Sequence, residues 1–142
     1  MANIWKGKLH DYITGDIHEQ FGRIEAFCQR FGTSKGDVLI ILGDVVINFS
    51  GGIQNVRQKE FLENLLITIS AIHGNLEHRL QTIYGYKEKL WYGGVVYYEE
   101  EYPSLLFAKG VEVFNLDRKQ TIVMGWAYST DKMVRLMYGY DW

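Results

Sequence analysis

A chain of 142 residues with 47% apolar and 15% aromatic residues can bury one core and is too apolar for a disordered segment. Its formal net charge of −2 leaves no basic stripe for binding nucleic acid through phosphates. Its single cysteine, Cys28, excludes an internal disulfide framework. No apolar run approaches the roughly 20 residues of a membrane span, and residues 1–10 lack the apolar stretch of a signal peptide. One domain over residues 1–142, a cytoplasmic location and no membrane partner are the expectations.

In chain order, residues 11–15 read as a short strand that stops at Gly15 and delivers Asp16 and His18. From Gln20 to Phe31, apolar residues at Phe21, Ile24, Phe27, Cys28 and Phe31 form one helical stripe, with Gly32 as its stop and a turn over 33–36. Cys28 lies on that stripe and reads as a small buried hydrophobe. Residues 38–42 are a continuous apolar run ending at Gly43-Asp44. Such a run suits a strand covered on both faces, as in a parallel sheet. Strand, helix and strand within so short a span make a βαβ unit.

A second helix is predicted over about residues 55–65, with Val56, Phe61, Leu62 and Leu65 facing the core. The third strand, 67–72, enters His73-Gly74-Asn75, and a helical turn follows through 77–79. Beyond Trp91 the texture changes. Short β-prone runs at 93–98, 105–108, 111–114 and 121–124 predict a β-meander packed on, or continuing, the first sheet. Residues 115–119 read as a hairpin connection and Pro103 as a loop residue. Residues 129–138 read as a closing helix with Met133, Leu136 and Met137 inward.

Three strand ends thus deliver carboxylate, imidazole and amide donors to one edge of a sheet. That donor set suits Zn, Mn or Fe. In an extended segment, Asp16 and His18 would project to the same side and face one ion. The competing reading is plain turn chemistry, because Gly-Asp and Gly-Asn are common turn formers. Glu19 either adds a ligand or faces solvent. His73 is either a strand-end hydrogen-bonding group or a ligand, His78 lies on an exposed helical face or joins the ligands, and His10 is a surface residue. Nucleophile elbows, Walker loops and Cys-x-x-Cys pairs are missing from the sequence.

The blocks Gly15-Asp16-Ile17-His18, Gly43-Asp44 and Gly74-Asn75-Leu76-Glu77 resemble the first three signature blocks of the calcineurin-like metallophosphoesterases. Residues 40–44, 71–75, 99–103 and 125–132 are similar to a bacterial and phage branch of that family. The resemblance implies an α/β fold, a truncated metallophosphoesterase-like β-sheet or sandwich with flanking helices. It implies divalent metal, Zn first and Mn or Fe next, with Asp16 and His18 on one ion, Asp44 bridging and Asn75 on a second.

Three departures qualify it. Leu76 stands where the family has a histidine that contacts the phosphoryl group. The family's later histidine blocks have no counterpart, since the last histidine is His78. Glu19 replaces a glycine that often follows the Asp-x-His pair. The chain therefore reads as lacking the family's C-terminal part, with no catalytic residue assigned. Its expected role is metal-supported protein–protein binding. A host nuclease is one partner class, because short phage proteins often block host defence, an inhibitor of a CRISPR nuclease being the case in point. That role would place it in the host cytoplasm. A homodimer is a further expectation, and a minimal metal-dependent phosphoesterase or phosphodiesterase is the alternative function.

Overall fold

The computed structural model describes residues 10–48, 52–72, 80–125 and 137. The elements in chain order are β1 (Asp11–Thr14), α1 (Gly22–Phe31), β2 (Val38–Leu42), α2 (Gly52–Asn64), β3 (Thr68–Ile72), a 3-10 turn (Leu80–Thr82), β4 (Lys87–Trp91), β5 (Gly94–Glu99), β6 (Tyr102–Ala108), β7 (Val111–Leu116) and β8 (Lys119–Met124). A six-stranded sheet runs β1-β2-β3-β6-β5-β4, and β7 and β8 form a separate hairpin. The pairs β1–β2, β2–β3 and β3–β6 are parallel; β6–β5 and β5–β4 are antiparallel. The chain is thus a mixed α/β fold, and both options for the meander are realised. β4 to β6 continue the first sheet, while β7–β8 packs on it.

The apolar run of β2 shows why two layers form. Leu39 and Ile41 point into one core with Ile24 and Cys28 of α1 and Leu62 of α2. Val38 and Ile40 point into a second core with Leu106, Phe114 and Val123. Successive side chains on a strand face opposite ways, so a strand apolar at every position needs cover on both sides. The helices cover one face and the β7–β8 hairpin the other. The hairpin turns at Asp117-Arg118, with φ of 44° and 62°. A two-residue turn with both φ positive matches the right-handed twist of the strands it joins.

α1 ends as its sequence foretells. Gly32 adopts φ 59° and donates its N–H to the Cys28 carbonyl, the left-handed stop that glycine provides without a Cβ penalty. Ile24 and Cys28 are buried, but Phe31 at the end of the predicted stripe is exposed.

Three sequence expectations need correction. Leu62 and Leu65 are buried as expected, but Val56 and Phe61 of α2 are exposed, and Lys59 is buried beside Leu62 instead. Lys59 enters because the carboxylate of Glu99 meets its ammonium at 2.5 Å; a polar residue on the apolar stripe disguised the face. Next, Pro103 is the second residue of β6 rather than a loop residue. Pairing of β6 with β3 begins only at Leu105, so the absent N–H of proline falls ahead of the parallel ladder. Finally, β4 was not foreseen. Its Lys87-Glu88-Lys89 start is a charged edge strand, the kind of edge that resists pairing with other chains. Glu88 pairs with Lys109 and Lys87 with Glu100. The helical turn expected at 77–79 and the closing helix at 129–138 lie outside the described residues, apart from residue 137.

Candidate metal centre

The donors sit on the two loops that leave β1 and β2. In the first, Gly15-Asp16-Ile17-His18 follows β1, and Ile17 is buried between the exposed Asp16 and His18. In the second, Gly43 has φ 95°, a conformation open to glycine and strained for other residues. It turns the chain so that Asp44 lies buried beneath the first loop. Val45 and Ile47 anchor the second loop in the core.

One backbone hydrogen bond ties the loops together. The N–H of His18 donates to the carbonyl of Asp44 at 3.0 Å. As a result one donor atom from each of Asp16, His18 and Asp44 lies within 4.8 Å of the others. His18 Nε2 and Asp16 Oδ2 are 3.5 Å apart. With ligand bonds of about 2.1 Å, the His18–Asp16 pair subtends roughly a tetrahedral angle. The donor set, two carboxylates and an imidazole, fits a divalent ion.

The means of convergence differs from the extended arrangement expected for Asp16 and His18. His18 has φ 46° and Glu19 φ 62°, so the chain turns sharply at the histidine. Burial of Ile17 and the His18–Asp44 bond impose that turn. Of the eight non-glycine residues with positive φ among the described residues, five are His18, Glu19, Asp44, Val46 and Asn48. The other three occupy turns between strands. Val46, β-branched at φ 65°, is a real outlier. Strain of about 1–3 kcal/mol per residue persists only where the surroundings impose it, and it concentrates at functional sites.

Glu19 does not join the donors. It is exposed and its Oε1 accepts from Gln58 Nε2 of α2 at 3.0 Å. His10 is exposed, as expected, with its Nδ1 3.7 Å from Asp37 Oδ1. Asn75, His73, Leu76 and His78 lie outside the described residues.

Sequence reasoning overlooked a polar network beneath the second loop. Asn48 is buried at φ 65°. Its N–H donates to Asn55 Oδ1, its Oδ1 accepts from Asn55 Nδ2, and its Nδ2 donates to the Tyr86 hydroxyl at 2.6 Å. Burial pushes the Tyr86 hydroxyl up, and the neighbouring Glu99 carboxylate, which favours the protonated hydroxyl, adds to that. Lys59 then pairs with Glu99. The available signal was the spacing of Asn55 and Lys59, four residues apart and hence on one helical face.

No curated protein and no solved structure matches the chain. A family model described as calcineurin-like phosphoesterase matches residues 12–138, a span that takes in both donor loops. With that match over most of its length, the chain belongs to the calcineurin-like phosphoesterase family.

Proposed function

We propose that the protein is a divalent-metal-binding member of this family in which phosphoester hydrolysis is impaired and whose role is to bind another protein. Members of the family use divalent metals. The observation that carries the metal reading is the meeting of Asp16, His18 and Asp44 donor atoms within 4.8 Å on two strand-end loops. An ion held there supplies Lewis acidity toward a phosphoryl oxygen. Asp44, buried and tied to the His18 N–H through its carbonyl, fixes one side of the donor set; Asp16 and His18 close it from the exposed side. Asn75 is proposed as a donor to a second ion, with Zn as the preferred metal and Mn or Fe next.

Impairment follows from Leu76, which stands where the family motif has a histidine. Leucine has neither a proton nor a hydrogen bond to offer a leaving group, and loss of such a group lowers rates by about 10²–10⁴. Support for protein binding comes from the outer face of the β7–β8 hairpin. Val111 opposes Met124 and Val113 opposes Ile122, and all four are exposed. Contiguous exposed apolar surface is a common mark of interaction sites. A host defence nuclease is the partner class suggested by the phage-like branch, and a second copy of the chain is the other. No helix among the described residues is long and apolar enough to cross a membrane.

Turnover of an aryl phosphate and of a phosphodiester with added Mn²⁺ tests the reading, alongside elemental analysis of the purified protein. The expected result is bound metal with little turnover, and affinity capture from a host lysate then identifies the partner. Robust Mn²⁺-dependent hydrolysis abolished in Asp16→Ala would instead establish the minimal phosphoesterase. Failure to retain or take up any divalent metal would remove the site itself.

A further inference from the structure

The stretch Gly43–Asn48 that carries Asp44 is held at two points, and the second restraint lies outside the donor set. Between Gly43 and Asn48 the chain passes through φ values of 95°, 35°, 65° and 65° at Gly43, Asp44, Val46 and Asn48. Left to themselves, Asp44, Val46 and Asn48 would relax toward negative φ. Near Asp44 the restraint is the hydrogen bond from His18. Near Asn48 it is the polar network. Asn48 makes three hydrogen bonds, two to Asn55 and one to Tyr86. The Lys59 ammonium lies 5.2 Å from the Tyr86 ring centroid and pairs with Glu99, and Lys59 sits one helical turn beyond Asn55. The contacts close a ring through the loop, Tyr86, β5 and α2.

We infer that Asn48 and Tyr86 are positioning residues for Asp44: they clamp its loop at Asn48 in the left-handed conformation that keeps the Asp44 carboxylate with Asp16 and His18. The inference deepens the metal reading and rests on it. Neither belongs to the group of Asp16, His18 and Asp44. Each acts through the backbone of residues 44–48, in the way outer partners of a ligand set its orientation. The ring Tyr86 presents to Phe107, at 5.8 Å between centroids, is separate from its hydroxyl, so the two roles of the side chain can be divided by substitution.

The test compares Mn²⁺ affinity, read by electron paramagnetic resonance of the full chain, with the urea midpoint of unfolding. Tyr86→Phe keeps the ring and removes the hydroxyl. Asn48→Gly keeps the left-handed backbone and removes the amide. Val123→Ala opens a cavity in the opposite core, which contains Val123 but none of the donors, and serves as the destabilised control. Expected are losses of Mn²⁺ affinity of about tenfold in both loop variants, with the control binding as wild type despite its lower midpoint. Wild-type affinity in Tyr86→Phe and Asn48→Gly overturns the positioning role. So does an equal loss in Val123→Ala, which would make the effect one of global stability. Asp16→Ala separates the two ideas. If it abolishes Mn²⁺ binding while the loop variants bind normally, only the positioning role fails; if the wild type binds no Mn²⁺, the metal reading fails and this inference with it.

Discussion

Glu99→Ala strands a buried ammonium. Lys59 retains only 6% of its side-chain exposure, and Glu99 retains 20%. Breaking a buried pair from one side costs about 3–5 kcal/mol, because the surviving charge stays desolvated. Lys59 keeps two aromatic faces, Tyr86 at 5.2 Å and Tyr102 at 5.7 Å, which still stabilise the ammonium and put the cost at the lower end of that range. The net loss is therefore about 3 kcal/mol, or a fall in melting temperature of roughly 10 °C for a chain of this size. Lys59→Met removes the cation and preserves the stem's packing. It leaves Glu99 partly solvated beside the Tyr86 hydroxyl, at a cost of about 2 kcal/mol. The double variant, with neither charge, should also cost about 2 kcal/mol, well short of the additive sum of about 5 kcal/mol. Urea unfolding of the four proteins measures the cycle. Additivity to within about 0.5 kcal/mol would refute the claim that Lys59 is buried only because Glu99 meets it.

Burial alone would raise the Asp37 carboxyl, but hydrogen bonds from the His10 N–H, the Ser34 N–H and the Ser34 hydroxyl outweigh it and hold it below the usual carboxylate range. A depressed carboxylate stabilises the fold above its unfolded pKa of about 3.9 and loses that contribution as pH falls through the folded value. Asp37→Asn should thus cost about 1–2 kcal/mol at pH 7, with the gap to wild type closing in urea titrations below about pH 4. Gly94→Ala would place a methyl 2.5 Å from Phe114 Cε1 and 2.7 Å from its Cδ1. Because Phe114 is fully buried, the clash should cost about 1–3 kcal/mol in thermal unfolding. Saturating Mn²⁺, at about a hundred times its dissociation constant, should stabilise the wild type by about 2.7 kcal/mol. Asp44→Ala should show no such shift by differential scanning calorimetry.

Much of the parallel half of the fold can be read from local pattern. The unbroken apolar run of β2, the helical stripe through Ile24 and Cys28, and the Gly32 stop all depend on neighbours in sequence. The antiparallel half is less legible. β4 is a charged edge strand whose pairing with β5 comes from register, and Pro103 is tolerated in β6 because of where the β3 ladder starts. The inward face of α2 was misread because Lys59 is admitted to the core by Glu99, a residue 40 positions away.

For the site, the sequence by itself determined the identities of the donors and their places after apolar strands. It displayed Asp16, His18 and Asp44 within Gly-Asp blocks, and Leu76 in place of a histidine. Only the tertiary structure decided how those donors meet. Parallel pairing of β1 with β2 sets their two exit loops side by side, and the His18–Asp44 bond locks them. Positive φ at His18 replaces the extended geometry that local alternation suggests. Such a conformation is uphill for an isolated segment. It exists here because burial of Ile17 and Val45, and the ring of contacts through Asn48, stabilise it from outside the segment's own sequence.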